Sequence, residues 1–428
     1  MGKAKDAALR TTSILDVPDD LLELVLLRVG TPACLLRAAA TCKPWLRVAA
    51  GAGLLRRFCA LHDGPRLLLG HYCVNAKKME DGITRLHAEF VPLAGTPRPA
   101  NRLRQRLSLD FLPRPPRCKR ALTDTRGGLL AFVRDNSHAI VCDPWTRQYR
   151  ELQFPWDQHG SIIRDGSCYH CIGAFLLDAD GDGSGSGSPM SSFMVLCACL
   201  VWNYTAHACV FSARNNRWIR SYVSNDIVLV HWTGGYSLDL MDTYKRIMGR
   251  AGGSIFWYGR RGHVLALDEN TGDFSTFVLP AAPDVEIYCG AGHIHYKQKV
   301  RVVGGGGAAG AALRIVCVVD GNLEVFTRAH GGGVCMLERR VGLCQLADIE
   351  GGHDRLYSWR FVDTDKTTPA GLLELGAFSS SSNFLFSLDV ETMKLQRLDD
   401  RTTTLRAARV FPYEIPWPQK ISACLGST

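Results

Sequence analysis

From Asp19 to Val29 the apolar residues Leu21, Leu22, Leu24, Val25, Leu26, Leu27 and Val29 surround nearly the whole of a helix. A helix apolar all round needs burial on more than one side. Val17-Pro18 followed by Asp19 and Asp20 makes a good start, because proline tolerates the first turn and acids suit the positive end of the helix dipole. Gly30-Thr31-Pro32 ends it. A second short helix is expected over Ala33–Thr41 and a third around Trp45–Ala50, with Pro44 at the junction, while Gly53–Leu61 offers a fourth. The span from Ile14 to Ala50 is too short to bury these faces well. A unit of this size rarely draws more than ~3–5 kcal/mol from its own core, so it predicts a docking element that borrows a partner's surface.

Beyond residue 120 the pattern changes to short period-2 runs broken by Gly, Asp and Asn, and it repeats. The recurring unit is a strand, an Asp-x-x-Thr turn and a second strand. It occurs at Asp143/Thr146, Asp268/Thr271 and Asp389/Thr392, with an apolar residue six positions after each aspartate. A degenerate copy has Ser212, Asn215 and Trp218 at the same offsets, and a fifth uses Asp320-Gly321 and reaches Phe326. In such a unit the Asp or Ser side chain accepts backbone N–H groups of the turn while the flanking residues pack on a sheet face. Gly127-Gly128 and Gly252-Gly253 stand at the same distance before Asp143 and Asp268, so each recurrence is a small antiparallel sheet. Blades of propellers recur at about 40–50 residues. The longer gaps here imply insertions or one unmarked blade, and the region suits an antiparallel all-β propeller of about six blades. The alternative is a pair of β-sandwiches.

These patterns divide the chain into a flexible N-terminus, 1–13, a helical unit, 14–62, a connector, 63–120, and a β region, 121–428. The connector's end has five prolines from Pro97 to Pro116, and over Arg98–Arg120 eight basic residues surround a short expected strand, LSLDFL at 107–112. It reads as a stiff solvated linker rather than a nucleic-acid arm, because no aromatic interleaving offers base stacking near Arg102, Arg104 and Arg106.

Composition adds limits. Hydrophobic residues make up 46% of the 428 and charged ones 21%, with a formal charge of +9, which is mild at this length and names no nucleic-acid partner. The 16 cysteines lie largely in apolar runs such as Val195–Trp202, where a free thiol behaves as a small hydrophobe. No secretory signal or span of 18 apolar residues is visible, and Asp6 stands where N-myristoylation wants Ser or Thr. An intracellular, reduced protein of the nucleus or cytoplasm, with no membrane partner, is expected.

Candidate chemistry fails on spacing. Asp178, Asp180, Asp182 and Gly183 open like a calcium loop, but Pro189 stands where a bidentate glutamate belongs. Gly305, Gly307 and Gly310 satisfy GxGxxG, but a strand follows instead of a helix. Of Cys168, His170, Cys171, Cys197, Cys199, His207 and Cys209, only Cys168-x-x-Cys171 has zinc-knuckle spacing. No catalytic set is nominated, no cofactor or metal is expected, and the chain reads as non-enzymatic. Trp145, Trp156 and Trp417 are candidates for target contact near blade turns.

The helical unit resembles an F-box. The family's opening Leu-Pro appears as Val17-Pro18, its acidic-Leu-Leu step as Asp20-Leu21-Leu22, its central aliphatic pair as Leu35-Leu36 and its closing Cys-Lys-x-Trp as Cys42-Lys43-Pro44-Trp45. Two departures are Val17 for the usual leucine and Pro44 where a basic residue is common. The remainder is similar to the plant F-box proteins with an associated Kelch-like propeller, through SLDFLP, the DTRGGLLAF of Asp124–Phe132, VCDPWTRQY and the tail Val410–Pro418. The resemblance implies a substrate-recognition adaptor of a Skp–cullin–F-box ubiquitin ligase. Val17, Pro18, Leu21, Leu24, Val25, Leu35, Leu36, Cys42 and Trp45 would dock the Skp-type subunit, and through it the cullin and RING subunits. The propeller would hold a protein substrate that the sequence does not name. A propeller enzyme or carbohydrate-binding protein with an accessory helical head is the competing expectation.

Overall fold

The computed structural model describes residues 17–30, 32–39, 41–62, 66–78, 84–93, 100–113, 120–134, 137–158, 169–178, 189–201, 205–224, 247–259, 262–280, 300–303, 312–329, 333–347, 358–362, 372–378, 383–398 and 409–416. The chain divides into two compact units, Met1–Gly70 with Pro92–Gln105 and Glu414–Thr428, and His71–Val91 with Arg106–Tyr413.

The first unit holds four short helices in succession: α1 (Asp19–Leu27), α2 (Pro32–Ala39), α3 (Lys43–Ala49) and α4 (Ala52–Leu61). The Pro18 carbonyl accepts the first intrahelical bond of α1 from Leu22 N at 3.0 Å, and Asp19 and Asp20 occupy the first turn. Pro44 sits in the first turn of α3, where its missing N–H costs no helical bond. α1 packs on α3 and α4, and α2 packs on α3. A fifth helix, α5, covers Ala100–Arg106.

The second unit is a six-bladed antiparallel β-propeller. Strands β1 (Arg66–Lys78) and β2 (Thr84–Pro92) come first in the chain. Blade 1 then follows as β3 (Ala121–Arg126), β4 (Leu129–Val133), β5 (His138–Asp143) and β6 (Gln148–Gln153). Blade 2 is β7 (Tyr169–Leu177), β8 (Met194–Val201), β9 (Ala206–Ser212) and β10 (Arg217–Val223). Blade 3 is β11 (Ile247–Ala251), β12 (Ser254–Tyr258), β13 (His263–Asp268) and β14 (Phe274–Val278). Blade 4 is β15 (Val300–Val303), β16 (Leu313–Val319), β17 (Asn322–Arg328) and β18 (Met336–Gly342). Blade 5 is β19 (Ser358–Phe361), β20 (Leu372–Phe378), β21 (Asn383–Asp389) and β22 (Lys394–Leu398). The sixth sheet has the order β2-β1-β23, with β23 at Arg409–Pro416, so early and late strands of the chain share one blade.

Two expectations change here. The stretch 63–120 is not only a connector, because β1 and β2 within it build the sixth blade. The expected strand at 107–112 is a turn instead: Leu112 N donates to Leu109 O at 3.2 Å and Asp110 N to Ser108 Oγ at 3.3 Å. Local Ser/Asp turn chemistry outweighs the period-2 signal there, while Leu107 and Leu112 are buried as anchors.

The repeating turn is as the spacing suggests. Asp143 Oδ1 accepts Trp145 N at 2.9 Å and Thr146 N at 3.4 Å. Asp268 Oδ1 accepts Asn270 N and Thr271 N at 2.8 and 2.9 Å, and Asp389 Oδ1 accepts Glu391 N and Thr392 N at 2.9 and 3.2 Å. Ser212 Oγ accepts Asn215 N at 3.4 Å. Each turn joins the third and fourth strands of its blade. The fourth residue after the cap has positive φ in every case: Arg147 57°, Asn216 53°, Gly272 77° and Met393 55°. Gly272 cannot be enlarged as its counterparts are, because a Cβ there would lie 2.2 Å from the Tyr222 ring. The Asp320-Gly321 copy departs from the repeat, since it joins the second and third strands of blade 4. The Gly127-Gly128 and Gly252-Gly253 pairs, all with positive φ, make tight first-to-second-strand turns.

Alternate residues of the central strands pack against opposite neighbours. Val195, Cys197 and Cys199 face a core shared with blade 1, whereas Leu196, Ala198 and Leu200 face one shared with blade 3. Similar cores join blades 3 and 4, 4 and 5, and, through Cys73, Val362, Leu385 and Val410, blades 5 and 6. This two-sided burial explains the unbroken apolar runs.

Blade 6 is tied to blade 1 by side-chain hydrogen bonds. Buried Tyr413 donates its hydroxyl to Gly128 O at 3.1 Å, and Thr125 Oγ1 donates to Pro412 O at 2.7 Å. Removing the hydroxyl in Tyr413→Phe leaves the Gly128 carbonyl without that donor and is expected to cost about 1–3 kcal/mol. It should appear as a lower urea midpoint at unchanged slope. An unchanged midpoint would show that this tie does not hold the ring.

Candidate functional site

The first unit carries an apolar face that its own packing leaves open. On α1 the buried residues are Leu22, Leu26 and Leu27, while Leu21, Leu24 and Val25 are 54%, 52% and 51% exposed. Positions i, i+3 and i+4 share one helix face, so the three exposed residues form a continuous stripe. Beside them Val17 is half-buried and Pro18 exposed. Arg47 of α3 pairs with Asp19 at 2.8 Å and Arg57 of α4 with Glu23 at 2.8 Å. These surface pairs orient the helices while contributing at most about 1 kcal/mol each. His62 Nε2 lies 3.2 Å from Leu27 O, at the far end of α1.

Cys42 and Trp45 are half-buried at the start of α3. Leu35 and Leu36 are different: each is only 1% exposed in the isolated chain. Both fall on the inward face of α2, and they support the unit from within. The docking candidates that remain accessible are Val17, Pro18, Leu21, Leu24, Val25, Cys42 and Trp45.

The propeller's polar centre is built from the Asp124–Gly128 motif on β3. Asp124, 2% exposed, accepts Leu176 N of blade 2 at 2.7 Å and Thr125 N at 2.8 Å, and pairs with Arg250 of blade 3 at 3.2 Å. Arg250 Nε also lies 3.2 Å from Glu269 Oε1, and its NH2 donates to Leu176 O at 2.9 Å. Arg126 pairs with Asp178 and approaches Glu269 at 3.8 Å. Thr123 Oγ1 donates to Ala174 O at 2.7 Å. Burial pushes the Glu269 carboxyl above its ordinary range, with Arg250 and Arg126 opposing the shift. Every acid of the cluster is engaged by an arginine, an arrangement that joins three blades and leaves none of these carboxylates poised as a free base.

Other candidates resolve as packing. Cys171, Cys197, Cys199 and Cys209 lie in the core between blades 1 and 2, where burial pushes the thiols of Cys197, Cys199 and Cys209 up. No cluster of metal-binding side chains occurs among the described residues. Trp145 is buried by the blade 1 turn, whereas Trp156, although mostly buried, lines a cavity at the end of blade 1. Cys168, residues 179–188, Gly305, Gly307, Gly310 and Trp417 lie outside the described residues. Among the described residues no helix is long and apolar enough to cross a membrane.

Arg250→Ala would strand two carboxylates, one of them deeply buried, and is expected to destabilise the propeller by about 3–5 kcal/mol. A double-mutant cycle with Asp124→Ala should give a coupling above about 1 kcal/mol, and additive losses would show that the pair is not a working contact. For Glu269 the folded pKa lies above the unfolded one. As pH rises from below the ordinary glutamate range, the unfolded chain loses this proton first, so stability falls through that window. Glu269→Gln should remove that component of the slope in urea titrations run at successive pH values.

No family model matches the chain, and no curated protein is similar to it at a significant level. Among solved structures, the β-propeller domain of Cps50 (Swd1) from Myceliophteria thermophila is similar at 14% identity and a TM-score of 0.32, over 65% of this chain and 72% of that one. The N-terminal domain of Nup159 is similar at 11% identity and a TM-score of 0.31, over 65% of this chain and 60% of that one. The Dos1 propeller is similar at 9% identity and a TM-score of 0.36, over 76% and 72%. The six-bladed architecture is established by the chain's own sheets.

Proposed function

We propose that this chain is a non-catalytic substrate-recognition adaptor of a Skp–cullin–F-box ubiquitin ligase, of the type that joins an F-box to a Kelch-like propeller in plants. The observation that carries this reading is the exposed stripe Leu21, Leu24 and Val25. It falls within the motif-bearing stretch Val17 to Trp45 and gives that stretch an apolar surface for a partner. The helical unit docks a Skp-type subunit and, through it, the cullin and RING subunits, in the nucleus or cytoplasm. The propeller, a fold suited to protein interaction, holds the target. Ubiquitin transfer then rests on proximity, with the target's lysine presented to an enzyme held elsewhere in the assembly.

The test uses the accessible residues, because truncating Leu35 would open a cavity and cost about 2–5 kcal/mol of the unit's own stability. Leu21→Asp with Val25→Asp should weaken capture of a Skp-type subunit by the full chain ~100-fold or more, taking about 1.5 kcal/mol for each anchor. Circular dichroism should remain unchanged. Undiminished capture by the folded double variant would overturn the assignment.

A further inference from the structure

A cavity of about 420 Å³ opens on the rim of the propeller, where the end of blade 1 meets the outer strands of blade 2. Its apolar wall is Pro155, Trp156, Trp218 and Ile219. Both indoles are held in place: Trp156 stacks on Phe154 at 4.5 Å, and Trp218 meets Phe211 edge-on at 5.4 Å. The remaining wall is polar, from His207, Arg220 and Ser221. This size and mixed lining match sites that take a large side chain or a small ligand.

Three further observations define the occupant. Residues 218–221, four in succession, all line the cavity. The bulge in β10 between Trp218 and Arg220 breaks strict alternation, so neighbouring side chains share one side of the strand, which His207 and Cys209 of β9 continue. β10 is the edge of its sheet, and its register with β9 shifts between Trp218 and Arg220, a bulge that breaks the ladder at this point. A broken ladder disfavours a long added strand, so the cavity suits a short segment that seats a side chain in it. Charge supplies the third. From Thr205 to Ser224 the chain has Arg214, Arg217 and Arg220, all exposed, and no acidic residue. Arg150 adds a fourth cation, lying 5.1 Å from the Phe211 ring centroid and bonded to Asn216. Glu151, the acid on the neighbouring β6, is paired with Arg134, and one further acid, Asp157, follows Trp156 in the sequence.

We infer that this rim is a docking site for a short, extended acidic peptide segment of a protein partner, with one aromatic or large aliphatic side chain seated between Trp156 and Trp218 and the flanking carboxylates on Arg220 and Arg217. The inference rests on the adaptor reading only for calling that partner a ligase target; the site itself is independent of it.

Fluorescence anisotropy tests it with labelled pentapeptides Asp-Glu-X-Glu-Asp, X being Trp, Tyr, Phe or Leu, added to the full chain. At least one should bind more tightly than about 1 mM at low salt, and the X = Ala peptide should bind at least ~10-fold more weakly. Trp218→Ala should cost ~10-fold or more. Arg220→Glu, at an exposed position that leaves the core intact, should weaken the acidic peptides similarly and favour Lys-Arg-Trp-Arg-Lys instead. No binding by any acidic peptide, or equal binding by folded Arg220→Glu, would overturn the site. Both variants should still capture the Skp-type subunit. Lost peptide binding with capture intact in these variants therefore supports the site. Failed capture by the unaltered chain with peptide binding intact counts against the adaptor reading alone.

Discussion

Asp124–Gly128 is the constraint on which the propeller depends. In five residues the chain caps a blade 2 amide, pairs with an arginine of blade 3, bonds the Pro412 carbonyl of blade 6 and receives the Tyr413 hydroxyl. A ring of sheets has no intrinsic start, and its weakest point is where early and late segments must find each other. Pairing of β1 with β23 gives that junction a hydrogen-bonded seam. The buried tyrosine and threonine bonds then fix β23 against blade 1. Each lost partner there would leave a desolvated backbone group, which is why a few polar contacts outweigh their number. Closure also brings together segments far apart in sequence, so the loop entropy it spends must be recovered by the whole ring at once.

The inter-blade cores explain why a propeller forms rather than a pair of sandwiches. A sandwich strand buries one face and wets the other, giving alternation. In β8 the run MVLCACLV is buried on both sides, with odd and even residues in different cores. Only an architecture in which each sheet has two sheet neighbours satisfies that pattern. The cysteines fit the same account: Cys171, Cys197, Cys199 and Cys209 fill one interface as small apolar groups.

The features most legible in the sequence were those with local causes. The Asp-capped hairpins and the paired glycines could be read because their chemistry lies within five residues, and their recurrence pointed to about six blades. Long-range pairing left no such mark. β1 and β2 carry no repeat motif, so nothing local shows that 66–92 belongs with 409–416. The turn at 107–112 is hidden because LSLDFL alternates like a strand, although Ser108 Oγ accepts the Asp110 N–H within it. In the helical unit, α1 could be seen to have more apolar surface than its neighbours cover, but not which side stays open. That division, Leu22, Leu26 and Leu27 inward against Leu21, Leu24 and Val25 outward, depends on α3 and α4. For Leu35 and Leu36 the sequence shows only an aliphatic pair, which looks the same whether it supports a surface or forms one.

Two of the motifs that make the β region resemble a family, DTRGG and the tail, are the ones that close its ring. Asp124, Thr125 and Arg126 of DTRGG, with Pro412 and Tyr413 of the tail, are consumed by contacts between blades. Their presence therefore speaks to the scaffold and is indifferent to what the scaffold holds. On the adaptor reading proposed above, target recognition has to come from residues that the repeat does not require. The blade 2 rim has this character. Its turn obeys the general rule through Ser212, but Trp218 and Arg220 flank a bulge in β10 that the hairpin rule does not demand. A bulge at a sheet edge weakens pairing with another sheet and turns neighbouring side chains in new directions. The same irregularity that protects the edge from indiscriminate strand addition therefore also shapes a cavity beside two fixed indoles and exposed arginines. Scaffold and specificity are separated within one hairpin: the cap and the αL residue hold the turn, and the deviation from the ladder makes the surface.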